Sequence, residues 1–218
     1  NNLYAGGDFE EISGTTAHRI ARWDGQAWHR LGQGLSGGDT TTVNDIAIQS
    51  ETLFVGGQFT HAGNNLADGL AKWDGLAWTA LDPRFQGTVL ALAFNAPDLY
   101  VGGTFILPND TKISHIAKFD TVTQQWSNLN NGDNGPIAAI AVNNGQVYVG
   151  GTFTEIGSQF ANNIAQWDGQ QWLPLGDGIL GGDQIFGTAV LSLAADNDAL
   201  YVGGRFTSAG GKPAAYFS

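Results

Sequence analysis

The sequence predicts an all-β fold and, within that class, a β-propeller of four-stranded antiparallel blades. A Gly-Gly pair followed by x-Phe recurs five times along the 218 residues, and glycine is abundant at 32 copies. The 7 Trp and 12 Phe lie in short apolar runs, with no long helical pattern between them. Aromatic and β-branched runs bounded by glycine are typical of short strands joined by tight turns.

The Gly-Gly pairs belong to a repeat that covers the whole chain. Each copy has an apolar residue, usually an aromatic residue, then x-Gly-Gly-x-Phe, and successive copies are 46 to 53 residues apart. The copies start at Leu3, Leu53, Leu99, Val147 and Leu200. Periods of about 40–50 residues with several strands each are typical of propeller blades, which bury their faces only by stacking on neighbours.

Each full period contains four strand candidates, which we name a to d in chain order. Strand a is an alternating run such as VNDIAI from Val43, and strand b carries the Gly-Gly pair. Strand c is a run such as IARWDG from Ile20, and a second Trp, for example Trp28, opens strand d. Asp-Gly favours a tight c–d hairpin. We expect Gly-Gly to provide positive φ or close backbone approach, and the repeated aromatics to pack between blades.

We expect one propeller domain over residues 1–218, with repeat units that start near 3, 43, 89, 137 and 190. This gives about five blades, because the sequence starts at a strand b and stops at Tyr216-Phe217-Ser218, where a strand c is due. The first and last blades are therefore incomplete. The favoured interpretation is a ring closed by five imperfect blades. The alternative is that the chain forms an arc of a larger propeller.

The order of Gly-Gly after strand b, aromatic-Asp at the end of strand c and Trp at the start of strand d resembles the kelch repeat. The fuller pattern YVGGxFTxAGG…IAxWDG…W is similar to repeats of bacterial secreted propellers and fungal Rax2-like surface proteins. WD-type propellers match less well, because their Gly-His element is missing here. The resemblance implies a propeller that is secreted or lies on the cell surface.

The composition disfavours several functions. A net charge of −11 with only nine Lys and Arg argues against a nucleic-acid partner. With no Cys, disulfides and thiolate metal sites are excluded. No apolar run has transmembrane length, so we expect no direct membrane insertion. We expect no cofactor, although the Asp-rich turns are compatible with a weak calcium site, and we expect an extracellular or cell-surface location.

The candidate binding residues lie where the repeat is broken. Because strands alternate in direction, the long b–c and d–a loops share one end of the blades, and we expect a ligand there, since function concentrates on loops over a rigid scaffold. Five residues of the d–a loops depart from the repeat: Asp39, Arg84, Phe85, Asp183 and Phe186. Alternatively, the two Phe side chains pack against the blades and the Asp side chains cap turns.

Catalysis is not expected. Kelch-like propellers include copper radical oxidases of the galactose oxidase type, whose chemistry needs a Cys–Tyr crosslink that a chain without Cys cannot form. The four His residues lack metal-binding spacing. A carbohydrate-active enzyme remains an alternative, with Glu10 and Glu155 in equivalent b–c loops as the two carboxylates that glycoside hydrolysis requires, although simple solvation also accounts for both.

The sequence therefore predicts a non-catalytic, secreted or cell-surface binding or scaffold module. Its partner would be a protein or a glycan held by the b–c and d–a loops. A structural subunit that self-assembles through open blade edges is a second hypothesis, since unpaired strand edges are templates for pairing.

Overall fold

The computed structural model describes residues 2–38, 40–81, 85–107, 110–129, 134–182 and 184–217. All regular elements in these ranges are β-strands, which confirms the all-β prediction. The chain forms two compact units, one of Asn1–Leu92 with Phe105–Asn109 and one of Ala93–Thr104 with Asp110–Ser218. The described residues include no helix long and apolar enough to cross a membrane. That 1–218 is a single domain stays a prediction.

The first two periods build two blade sheets of the first unit. The first sheet has the order β1-β4-β5, which corresponds to b-c-d, and the second has the order β7-β8-β11-β12, which corresponds to a-b-c-d. The strands are β1 Leu3–Gly6, β2 Glu11–Ile12, β3 Thr15–Thr16, β4 Ile20–Trp23, β5 Trp28–Arg30, β6 Leu35–Ser36, β7 Thr42–Gln49, β8 Thr52–Gln58, β9 His61–Ala62, β10 Asn65–Leu66, β11 Leu70–Trp73 and β12 Trp78–Ala80.

The division between the units falls within the third sheet, whose order is β13-β14-β15-β16. The fourth sheet has the order β17-β18-β21-β22, and the fifth contains β24 and β25. The strands are β13 Val89–Asn95, β14 Asp98–Leu107, β15 Asp110–Asp120, β16 Gln125–Ser127, β17 Ile137–Asn143, β18 Gln146–Gly151, β19 Glu155–Ile156, β20 Gln159–Phe160, β21 Ile164–Trp167, β22 Trp172–Pro174, β23 Ile179–Leu180, β24 Ala189–Ala195, β25 Leu200–Arg205, β26 Ser208–Ala209 and β27 Lys212–Pro213.

The predicted strand order and the incomplete outer blades are confirmed. Three sheets have four strands in the order a-b-c-d, whereas the first has three strands and the last has two. In the last sheet a single bridge joins Gly203 to Phe217, at the place where strand c was expected. The five sheets and their antiparallel pairing are those of a β-propeller.

The b–c loops are more ordered than the sequence suggested. Four of them contain a short hairpin whose two strands have two residues each: β2–β3, β9–β10, β19–β20 and β26–β27. In two places the d–a segment pairs with the hairpin of the next period, β6 with β9 and β23 with β26. The long loops at this end therefore contain short paired strands, which the sequence analysis did not predict.

The Gly-Gly pair allows two kinds of close approach. A Cβ on the first glycine would overlap a branched side chain at the start of strand a of the following blade. At Gly56 this side chain is Val89, and at Gly150 it is Val190. A Cβ on the second glycine would overlap the backbone of strand a in the same blade. At Gly57 it would meet the backbone of Thr42. None of these glycines has a positive φ, so only the close-approach part of the prediction is confirmed.

Tryptophan indoles connect neighbouring blades. Trp78 Nε1 donates a 2.8 Å hydrogen bond to the carbonyl oxygen of Leu31, at the end of the preceding blade. Trp172 Nε1 donates an equivalent 2.7 Å bond to the carbonyl oxygen of Leu129. Both indoles are buried, and a buried donor left without an acceptor costs about 1–3 kcal/mol. The second Trp of the repeat therefore fixes the spacing of adjacent blades.

Asp45 connects strands β7 and β13 in the first unit. One carboxylate oxygen accepts a 2.7 Å hydrogen bond from the backbone N–H of Leu92, and the other accepts one of 2.8 Å from Ile46. Burial outweighs these two bonds and raises the pKa of Asp45 above its ordinary value. The neighbouring Asn44 donates a further bond to the carbonyl oxygen of Val89.

We expect Gly57→Ala to lower the free energy of unfolding by at least about 2 kcal/mol, because the added methyl group meets the Thr42 backbone within a paired strand. The matched control is Gly7→Ala, at the same repeat position, where a Cβ would meet only the Phe9 ring at 3.3 Å. Urea denaturation measures both. Equal losses in the two variants would show that close approach does not determine this position.

Asp45→Asn is expected to change how stability depends on pH. Because the pKa of Asp45 is raised in the folded state, the native protein holds this proton more tightly than the unfolded chain. The resulting stabilisation is complete below the unfolded pKa and is lost as pH rises through the folded pKa. The free energy of unfolding of the variant, relative to wild type, should therefore increase between pH 4 and pH 7. A pH-independent difference in urea titrations would contradict this assignment.

Candidate functional site

The predicted ligand residues of the long loops fall into two groups. Asp39, Arg84 and Asp183 lie outside the described residues. Phe85 is 4% exposed and its ring lies 4.1 Å from that of Phe105, so it packs into the core as the alternative interpretation held. Phe186 is 68% exposed, and the guanidinium of Arg205 lies 5.7 Å from the centre of its ring.

Glu10, one of the two proposed carboxylates, is engaged by cations. It is an exposed residue whose Oε2 lies 2.7 Å from His18 Nδ1 and whose Oε1 forms an ion pair with Arg19. The hydrogen bonds from His18 and Arg19 lower its pKa. A general acid of a glycosidase needs a raised pKa, so the surroundings of Glu10 do not suit that role.

Glu155, the second proposed carboxylate, lies in β19 of the second unit and is exposed. The side chain of Asn134 accepts a 3.0 Å hydrogen bond from its backbone N–H. The two glutamates thus belong to different units, and each is accounted for by its own b–c hairpin. No group of three or more His, Asp or Glu side chains in the described part of the chain could hold a metal ion.

Three grooves formed by described residues lie at the opposite end of the blades, where the short a–b and c–d turns are; we call this the short-turn end. The first groove, of about 470 Å³, lies between the first two blade sheets of the first unit. Tyr4 and Arg22 from the first sheet line it, and Trp73 with Asp74 from the second sheet faces them. Asn2, Arg30, Leu31, Ile48, Ser50, Glu51, Leu53 and Gly75 complete the lining.

The repeat places a second groove at the equivalent position of the second unit. It has a volume of about 410 Å³ and is lined by Tyr100, Lys118 and Trp167 at the places of Tyr4, Arg22 and Trp73. Each groove is therefore lined by one residue of strand b and one of strand c from the same blade, and by the Trp of strand c from the next blade. Both grooves combine a tyrosine, a tryptophan and a cation.

The aromatic wall of the first groove is held rigidly. Trp73 pairs across the c–d hairpin with Trp78, with ring centres 5.2 Å apart, and Gly32 of the preceding blade leaves room for its ring. The following Asp74 accepts hydrogen bonds from the backbone N–H groups of Leu76 and Ala77, which lower its pKa. The repeated Trp-Asp-Gly thus builds the turn and presents the indole to the groove.

The two grooves differ in how their cations are neutralised. In the second groove Lys118 Nζ lies 2.9 Å from Asp98 Oδ2. In the first, the place of Asp98 is taken by the neutral Asn2, whose Oδ1 accepts only a 3.4 Å hydrogen bond from Arg22 Nη1. A second cation, Arg30, also lines the first groove, whereas Asn128 stands at this position in the second.

A third, smaller groove lies between two a–b turns of the second unit and has a volume of about 220 Å³. Its lining is rich in amides and carboxylates, and includes Asn143, Asn144, Gln146, Asp196 and Asn197. Asp196 is engaged by the backbone N–H groups of its own turn and by the Tyr201 hydroxyl. These polar groups mostly pair with one another, which favours a structural role.

For the aromatic residues of the grooves, the sequence favours packing between blades over a ligand site repeated in each blade. Burial of Tyr100 and Trp167 agrees with packing between blades, whereas Tyr4 and Trp73 are partly exposed in the first groove. The available signal was the variable position in IAxW, where Arg22, Lys72 and Lys118 recur as cations in a chain with nine Lys and Arg. A cation repeated beside aromatic residues points to a polar groove rather than to a dry interface.

Comparison with known proteins gives one family match. The family model described as the Rax2 C-terminal beta propeller domain matches residues 31–198. No curated protein matches the chain.

Two solved structures, both from B. thetaiotaomicron, show similar folds. The extracellular domain assigned to a one-component system aligns with a TM-score of 0.58 and 14% identity, over 94% of this chain and 26% of that one. The extracellular domain assigned to a hybrid two-component system aligns with a TM-score of 0.51 and 12% identity, over 79% and 20%. The chain thus spans about a quarter or less of these proteins, and at such identities the likeness concerns the fold.

Proposed function

Because the chain belongs to the Rax2 C-terminal β-propeller family, we propose that it is a non-catalytic, extracellular binding module. We further propose that its ligand is a glycan and that the grooves of the short-turn end bind it. This differs from the sequence-based prediction, which placed the ligand on the b–c and d–a loops.

The observation that carries the proposal is the equivalent construction of the two grooves. Each has a tyrosine and a cation on one side and a rigidly held tryptophan on the other. Volumes of about 470 and 410 Å³ fall within the range of small-ligand sites, roughly 300–1,000 Å³. Tyr4 and Trp73 are partly exposed in the first groove, and such aromatic faces beside charged and amide groups suit sugar rings, which have both C–H faces and hydroxyl groups. In the second groove Tyr100 and Trp167 are buried, so polar side chains such as Lys118 and Asn128 form most of the available surface.

The long-loop end offers less support for a ligand. Its b–c hairpins and two d–a segments use their backbone groups in pairing. Phe85 is buried, and Glu10 is paired with His18 and Arg19. Protein binding, self-assembly through blade edges and a carbohydrate-active enzyme remain the alternative hypotheses, and the lowered pKa of Glu10 argues only against this residue as a general acid.

A glycan array probed with the purified chain and with groove-blocking variants tests the proposal. Glu51→Trp and Asn128→Trp place bulky rings at exposed positions of the first and second groove, so the double variant should lose binding to every glycan that the wild type retains. The matched control is Glu155→Trp, which makes the same exchange as Glu51→Trp at an exposed site of the long-loop end. This control should bind as wild type.

Two results would contradict the proposal. Loss of binding in Glu155→Trp with full binding in the double variant would place the ligand on the long loops. An array without any bound glycan, together with capture of a specific protein that the double variant still binds, would show that the ligand is not a glycan of the short-turn end.

A further inference from the structure

We propose that the first groove binds the carboxylate of an acidic sugar, a hexuronate residue within a glycan, through Arg22 and Arg30. This inference rests on the proposed glycan-binding function and narrows its ligand class. It is carried by the difference between the two equivalent grooves, because one neutralises its cation internally and the other does not.

Arg22 has N–H donors that are available for a ligand. A guanidinium has five N–H donors in a planar fork, and the bond from Arg22 Nη1 to Asn2 Oδ1 is long at 3.4 Å. Among the described residues no carboxylate lies within ion-pair distance of Arg22 or Arg30. The half-buried Arg22 is therefore a cation without an anion in a groove, and a carboxylate ligand could accept two parallel hydrogen bonds from it.

The second groove shows what a neutralised version looks like. Lys118 occupies the position of Arg22 and is held 2.9 Å from Asp98, and Asn128 replaces Arg30. An ion pair already formed leaves little to gain from an added anion. The two grooves therefore differ in charge, and only the first combines arginines without a paired carboxylate with partly exposed aromatic rings.

The acidic residues of the first groove do not remove its preference for an anion. Asp74 keeps its charge, but its Oδ1 accepts hydrogen bonds from two backbone N–H groups of its own turn, which hold the carboxylate on the second blade sheet. Glu51 lies exposed at the a–b turn, beyond ion-pair distance of either arginine. Both carboxylates lie on the second blade sheet, whereas Arg22 and Arg30 lie on the first, so the groove has a cationic and an acidic side.

The rest of the lining favours a sugar over an acidic peptide. Peptides are bound along open strand edges, in apolar grooves or, when acidic, by arginine clusters, so an acidic peptide is the competing ligand, and the aromatic surface beside the arginines favours a ring. The apolar surface available in the groove comes mainly from Tyr4, Trp73 and Ile48, since Leu31 and Leu53 are buried. One ring can lie against the indole of Trp73 while its carboxylate reaches the arginines.

Calorimetry with trigalacturonate and with its methyl ester tests the inference, because the ester keeps the rings and removes the charge. The wild type should bind the acid at least tenfold more tightly than the ester, and less tightly as salt is raised. Arg22→Gln should reduce affinity for the acid at least tenfold. Asn2→Asp, which reproduces the Asp98 ion pair of the second groove, should do the same while both variants keep the wild-type melting temperature.

Lys212→Gln is the control, since it removes one exposed positive charge from β27 at the long-loop end and should leave the affinity unchanged. The reverse exchange, Asp98→Asn, frees Lys118 and should increase affinity of the second groove for the acid. A hexa-aspartate peptide provides the comparison with an acidic peptide and should bind more weakly than trigalacturonate.

Equal affinity for acid and ester, or an effect of Lys212→Gln as large as that of Arg22→Gln, would overturn the inference. Tighter binding of the peptide, or no binding of trigalacturonate, would also overturn it. If a neutral glycan binds and Glu51→Trp abolishes that binding, the proposed glycan-binding function stands while the acidic-sugar inference fails.

Discussion

The contact on which the rest of the structure depends is that between the first glycine of each Gly-Gly pair and the branched side chain that opens strand a of the following blade. Val43 lies against Gly6, Val89 against Gly56, and Val190 against Gly150, each in a space that a methyl group would fill. Because interiors are packed as densely as organic crystals, this approach sets the distance between neighbouring sheets. The indole bonds of Trp78 and Trp172, and the grooves above them, follow from that distance.

Much of this could be predicted from the sequence, for a physical reason. The strand order, the close approach at Gly-Gly and the c–d hairpins depend on residues that must recur in each blade, so repetition makes them visible. The hairpins of the b–c loops could not be predicted, because segments such as Glu11–Thr16 and His61–Leu66 show no alternation. In the described part of the chain Glu11–Thr16 pairs only within its own hairpin, whereas β9 of the second segment also pairs with β6. Positive φ at Gly-Gly was a wrong expectation, since glycine serves there by its size.

The site was harder to predict than the fold. Residues that depart from a repeat are natural ligand candidates, but Phe85 departs from it in order to fill the core. Conversely, Tyr4 and Trp73 obey the repeat, and each still has one part in a groove. The informative differences lie at variable positions of the repeat, Asn2 in place of Asp98 and Arg30 in place of Asn128. Their meaning depends on which side chains face each other across two blades. That geometry cannot be read from one strand at a time.

The pairing of β6 with β9 and of β23 with β26 has a consequence for how such chains can change in length. Each of these two d–a segments is stabilised by pairing with a strand of the next period. The boundary between two blades is therefore formed by residues of both. A duplication or deletion that starts and stops at equivalent points of the repeat keeps every such junction intact, whereas one that starts elsewhere leaves a strand without its partner. Recombination between repeats can therefore add or remove whole periods while conserving the local structure, and it can vary the charge of each groove independently.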